Sequence, residues 1–161
     1  MAIEKVISFF EERGAADKIK RFTVSSATVE LAAEALGVQG ARIAKTMSFL
    51  SPEGGAILVV TAGDTKIDNP KFKAQFHTKA KMIPPELLPE LVGHEMGGVC
   101  PFAVNPGCRV YLDESLKRFE VVYPAAGDAA SAVELTIPEL EAFSGFDAWV
   151  DVCKLRTEAA E

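Results

Sequence analysis

The chain has 161 residues, 48% hydrophobic and 25% charged, enough for one soluble domain with a substantial core. No apolar run reaches the roughly 20 residues that cross a bilayer, and Met1-Ala2-Ile3-Glu4-Lys5-Val6 lacks the basic and apolar regions of a signal peptide. The net charge of −6 argues against general affinity for DNA or other polyanions, yet residues 13–81 carry 11 Lys/Arg against 6 Asp/Glu while residues 82–161 are net −9.

Ile3, Val6, Ile7, Phe9 and Phe10 have helical spacing, with Gly14 as the stop, and a short strand is expected from Ile19 to Val24. Thr28 to Leu36 reads as a helix capped by Thr28, with Val29, Ala32, Ala33 and Leu36 on one face and Gly37 at its end. Ile43–Leu50 and Ala56–Thr61, joined by the Ser51–Gly55 turn, predict a hairpin. Asp64-Thr65-Lys66-Ile67-Asp68 reads as a loop. Asp68-Asn69-Pro70 then signals a helix start, with a short helix from Lys71 to Phe76. Pro84-Pro85 opens another helix through Leu91, with Leu87, Leu88 and Leu91 inward. After a glycine-rich loop, Cys108–Leu112, Phe119–Pro124 and Ala132–Thr136 are expected strands. A helix follows from Ile137 to about Phe143, and Trp149–Leu155 is a last strand or an apolar tail. No repeat or linker divides the chain, so one domain over 1–161 is expected. The class is α+β, with a mostly hairpin-connected sheet.

Gly97-Gly98-Val99-Cys100-Pro101-Phe102 is the most informative stretch. Two glycines let a ligand approach the main chain closely, and Pro101 fixes the loop, so it is either a main-chain cradle for an oxyanion or phosphate or a plain turn. A Cβ at Gly98 would crowd an approaching carbonyl. Lys45, alternating with Ile43 and Met47, is either a fixed cation in a pocket or an outward lysine at a sheet edge. His94 is expected to make a local backbone bond. Cys100 has no readable base, so a small buried apolar role is expected rather than a nucleophile. Cys100, Cys108 and Cys153 form an odd set without a CxxC pair, which points to a reducing cytoplasm. His77 and His94 are too few to suggest a metal site, and no cofactor motif is present.

Four segments together resemble the YbaK/prolyl-tRNA-synthetase-associated family of aminoacyl-tRNA editing domains. They are Thr28–Val38 with Arg42-Ile43-Ala44-Lys45-Thr46; Gly63–Asp68; Gly93–Phe102; and Tyr123–Gly127 before Val133-Glu134-Leu135. The resemblance spans about 28–143 and implies a free-standing domain with a mostly antiparallel or mixed, barrel-like sheet flanked by helices. It implies hydrolysis of the ester between a wrong amino acid and the terminal adenosine of a tRNA, commonly that for proline. The partner would be the aminoacyl-tRNA acceptor end, with transient contact to a synthetase and no metal or other cofactor.

In the terms of the resemblance, Lys45, of the Lys45-Thr46 pair, would hold the acceptor-end phosphate or ribose. Amides of the Gly97-Gly98-Val99-Cys100-Pro101 loop, Gly98 above all, would hold the substrate carbonyl, and a ribose hydroxyl would help activate water. Phe22, Thr46, Asp68, Ala125 and Gly127 complete the implied substrate-binding set. Cysteine-specific members tend to carry Ser-Gly-Gly where this chain has Ala125-Ala126-Gly127, and Phe22 stands where some relatives have tyrosine. Both changes make the pocket less polar and would suit a small apolar aminoacyl group such as alanine.

Overall fold

A computed structural model describes residues 2–23, 25 and 28–155. The expectation for Val24 lies outside the described residues. Helix α1 (Ala2–Glu11) buries Val6 and Phe10, four apart and so on one face. Phe10 meets the Phe102 and Phe143 rings edge-on at 5.0 and 5.1 Å. Gly14, at φ 68°, turns the chain after the helix. Strand β1 (Ile19–Arg21) follows.

Helix α2 (Val29–Leu36) starts where the Thr28 hydroxyl accepts from the Leu31 amide at 3.1 Å, and ends at left-handed Gly37. Strands β2 (Ile43–Leu50) and β3 (Ala56–Ala62) form the expected hairpin at the centre of the molecule. Thr65–Ile67, expected to be loop, is instead strand β4. Helix α3 (Asn69–Phe76) is capped by Asp68, whose carboxylate accepts from the Lys71 amide. A 3-10 turn over Pro85–Leu87 leads into the single-turn helix α4 (Leu88–Leu91). Leu88 is buried, but Leu87 is exposed, against expectation: the tighter turn rotates it outward.

Strands β5 (Cys108–Asp113) and β6 (Val121–Pro124) come next. The single strand expected over Ala132–Thr136 is two, β7 (Ser131–Val133) and β8 (Leu135–Thr136). Between them the Glu134 amide donates to the Lys18 carbonyl, which ties the segment to the chain ahead of β1. Helix α5 (Ile137–Ser144) opens with a reciprocal capping box between Thr136 and Glu139. The Trp149–Leu155 segment is likewise divided, into β9 (Ala148–Val150) and β10 (Cys153–Leu155).

Six strands form one curled mixed sheet in the order β8-β6-β2-β3-β5-β9. Two short antiparallel pairs, β1-β7 and β4-β10, flank it. The expected mixed sheet with helices around it is present, but hairpin connection is confined to β2-β3. The β2-β6, β3-β5 and β5-β9 pairings are parallel and need crossovers. The crossover from β3 to β5 carries β4, α3, α4 and the glycine loop.

Alternation along β2 and β3 builds a core on each face. Ala44, Leu58, Val60 and Ala62 face α1, α5 and the Cys100–Phe102 segment. Phe49, Ile57 and Val59 face Phe72 of α3 together with Val152 and Cys153. No helix among the described residues is long and apolar enough to cross a membrane.

Candidate active site

Strand β2 is paired with β3 from Ala44 to Leu50, but its other edge is shared. Ile43 and Ala44 pair with β6. At the far end Leu50 donates to the Lys81 carbonyl, and Ile83 donates to the Ser48 carbonyl. Between these two partners lies a gap. Strand alternation turns the N–H and C=O of Thr46 to the same edge as those of Ser48 and Leu50, so they face that gap.

A cleft of about 350 Å³ opens there. Its walls are Thr28, Val29 and Ala32 of α2, the Met82–Leu88 segment, Met96, Gly97 and Val99 of the loop, and Tyr123, Ala125, Ser131 and Ala132. Most of the lining is apolar, with a few polar groups among it, as in small-ligand sites generally. The Thr46 hydroxyl is buried and has no hydrogen-bond partner among the described residues. No group among the described residues accepts from the amides of Gly97 or Val99. Gly97 sits at φ 93°, a conformation that glycine adopts at no steric cost.

Lys45 lines this cleft, half-buried, paired with Thr61 of β3 and just past the end of the β6 pairing. Its partial burial in the cleft wall favours the pocket reading over that of an outward lysine. Its ammonium donates to the Thr65 carbonyl of β4. Asp64 beside it is held bidentately by Arg118 at 2.6 and 3.0 Å, which keeps the Asp64 carboxyl below the usual carboxylate range.

The cleft thus brings together Lys45, Thr46, Gly97, Val99 and Ala125. Gly98 has a different place. Its amide already donates to the Glu95 carbonyl at 3.0 Å, so it is not a spare donor. A Cβ there would meet not a substrate but main chain, 2.5 Å from the Asp128 nitrogen and the Gly127 carbonyl carbon. Gly98 and Gly127 line a smaller hollow behind the loop, where the 127–128 backbone braces it. Cys100 and Pro101 are buried beneath the loop. Phe22 lies outside the cleft lining, its amide on the Ala130 carbonyl. Asp68 is occupied in capping α3, also outside the cleft.

His94 makes the expected local bond. Its Nε2–H donates to the Phe102 carbonyl at 2.8 Å, closing the loop on itself. Cys100 lies beside it, Sγ to Nε2 3.5 Å, a neighbour that no spacing rule signals. The pair is poorly suited to nucleophilic attack: burial pushes the Cys100 thiol up to about 12, and the residue has no exposure. The three cysteines are free thiols.

Burial lowers the pKa of His94, and its Nδ1 has no partner among the described residues. An unfolded histidine titrates near ~6.5, so as pH falls the unfolded state takes up the proton first. This part of the stability is therefore complete above about pH 6.5 and lost as pH drops through the lower folded value. The thermal midpoint is expected to fall between pH 7 and 5, above the range in which Asp64 and Glu139, both held low by their cationic partners, take up protons. Melting curves of His94→Gln should show a flattened slope in that window. An unchanged slope would mean that another group causes it.

This chain belongs to the aminoacyl-tRNA editing domain family, whose pattern matches residues 23–143. It is 48% identical over 154 residues to the "Uncharacterized protein YwhH" of Bacillus subtilis (strain 168), covering 96% of this chain and 98% of that one. It is 28% identical over 109 residues to the "Putative Cys-tRNA(Pro)/Cys-tRNA(Cys) deacylase EbsC" of Enterococcus faecalis (strain ATCC 700802 / V583), covering 67% of this chain and 66% of that one. Among solved structures it is similar to a "putative trans-editing enzyme for prolyl tRNA synthetase". The TM-score is 0.84 at 28% identity, over 95% of this chain and 97% of the other. The curled mixed sheet with its surrounding helices is the architecture of these editing domains.

Proposed function

We propose that this chain is a stand-alone trans-editing deacylase acting in the cytoplasm on mischarged tRNA, with tRNA for proline carrying a small amino acid such as alanine as its substrate. The observation that carries the reading is the gap in the edge of β2, which opens on a cleft lined by Gly97 and Val99, whose amides have no acceptor among the described residues. Membership of the editing-domain family supports it.

In this reading the aminoacyl group enters the apolar part of the cleft, between Val29, Ala32, Ile83 and Ala125. The ester carbonyl lies against the amides of Gly97 and Val99. Water adds to the carbonyl carbon, and the developing oxyanion is held by main-chain donors that need no reorganisation. One such donor is worth roughly 10²–10³ in rate. The bond to the ribose oxygen breaks, leaving the free amino acid and an intact tRNA hydroxyl. The ester is intrinsically reactive, so positioning and oxyanion stabilisation suffice. Lys45 supplies a fixed cation for the acceptor end. Transient contact with an aminoacyl-tRNA synthetase would deliver the substrate.

Ala125 offers no hydroxyl or thiol contact, which favours an apolar aminoacyl side chain, but one methyl group discriminates by only ~1–3 kcal/mol. With alanyl-, cysteinyl- and seryl-tRNA(Pro) compared side by side, alanine is expected to be released fastest, by about tenfold or more. Faster release of cysteine or serine would overturn the assignment of the amino acid while leaving the reaction class intact.

A further inference from the structure

The layer that covers the second core, α3 with the β4-β10 ribbon, has a charge unlike the rest of the protein. Residues 65–81 and 151–155 hold six lysines, Lys66, Lys71, Lys73, Lys79, Lys81 and Lys154, against Asp68 and Asp151. All six are exposed. The whole chain is net −6, so the remainder carries ten net negative charges.

Two features separate this layer from a scatter of solvated lysines. Lys66 and Lys154 stand directly opposite each other across the antiparallel β4-β10 pair. Like charges so placed repel and destabilise the pair unless an anion lies between them. Lys73 and Lys79 also share one groove, with Asn69, Pro70 and Ala80. Only Lys71 of the six has a carboxylate within salt-bridge range among the described residues, Asp151 at 3.0 Å.

The groove and the cleft draw on neighbouring stretches of chain. Lys79 and Lys81 lie just ahead of Met82 and Ile83, which are in the cleft wall. Met82 is the third residue after Lys79, at most ~11 Å of extended chain away.

We propose that this lysine layer is the docking surface for the sugar-phosphate backbone of the RNA whose 3′ end occupies the cleft. The choice of ligand rests on the deacylase reading. An acidic protein gains little from general attraction to RNA, so a local basic face beside the cleft supplies both the affinity and the direction of approach. Contact is with phosphates and carries no base specificity.

The test uses an uncharged acceptor-stem hairpin and the full chain, with binding measured from 50 to 200 mM salt. Lys73→Glu/Lys79→Glu is compared with the wild type and with Arg13→Glu/Lys117→Glu, which reverses two exposed charges outside the layer. The layer variant is expected to bind at least tenfold more weakly, with the slope of log affinity against log salt reduced by about two. The control variant should bind within about threefold of the wild type. Equal affinity for the layer variant, an equal loss in the control, or no binding by the wild type at 50 mM salt would each overturn the proposal. Hydrolysis is scored separately. Binding that depends on the layer, in a protein that releases no amino acid, would refute the deacylase reading and leave the docking surface standing.

Discussion

Lys45→Ala is expected to lower kcat/KM for aminoacyl-tRNA hydrolysis roughly 30-fold or more, about 2 kcal/mol of lost transition-state stabilisation. The expectation comes from where the lysine sits. It is half-buried on β2, at the gap where the cleft opens. Loss of the side chain removes a cation from the cleft and a donor from the Thr65 carbonyl. The second loss costs stability of about 2 kcal/mol, the usual size for a hydrogen bond to a charged group. Lys45→Met separates the two effects from lost packing, since it keeps most of the alkyl stem. If Lys45→Met melts as a folded protein and hydrolyses at the wild-type rate, the cation takes no part in the reaction.

Gly98→Ala is expected to lower activity on the order of 100-fold, and Gly98→Val further. The cause is steric and lies behind the loop rather than in the cleft. The added Cβ would sit 2.5 Å from the Asp128 nitrogen and 2.6 Å from its Cα. Main chain cannot turn aside as a flexible side chain can, so the 95–99 loop must move away from its brace. A shift of a few tenths of an ångström at Gly97 and Val99 displaces the amides that the proposed reaction uses, and overpacking of this kind costs about 1–3 kcal/mol in stability. Val99→Ala leaves the brace intact and should retain most of the activity. Hydrolysis rates with thermal melts of the three variants check this. Full activity in a folded Gly98→Val would show that the loop geometry is irrelevant to turnover.

Much of the fold was legible where local chemistry dictates local structure. The Thr28 cap and Gly37 stop bound α2, Asp68-Asn69-Pro70 starts α3, and the Ser51–Gly55 turn joins β2 to β3. What escaped depends on partners distant in sequence. Strand β4 is three residues long and exists because β10 pairs with it. The divisions between β7 and β8 and between β9 and β10 arise because each half has a different partner. The three parallel pairings leave no turn signal to read.

The candidate site divides the same way. Lys45, Thr46, Gly97, Val99 and Ala125 do meet around one cleft. Phe22 and Asp68 belong to segments near the motifs but outside the lining, and no spacing rule could separate them. Gly98 was singled out for the right atom, the absent Cβ, but the group that needs the space is the 127–128 backbone. The contributions of Met82, Ile83 and Tyr123 to the cleft walls carry no sequence signature, because the register of the Met82 bridge to Phe49 and of β6 against β2 sets them.

Single-turnover hydrolysis of alanyl-tRNA(Pro) tests the central claim most directly, with protein in excess and spontaneous ester loss recorded in parallel. The account predicts release of alanine at least 100-fold faster than the spontaneous rate by the wild-type chain, and a clear fall in that rate with Lys45→Ala. Ester loss at the spontaneous rate, in a sample where the folded protein is shown to bind the tRNA, would contradict it and leave a protein that binds tRNA without hydrolysing its ester.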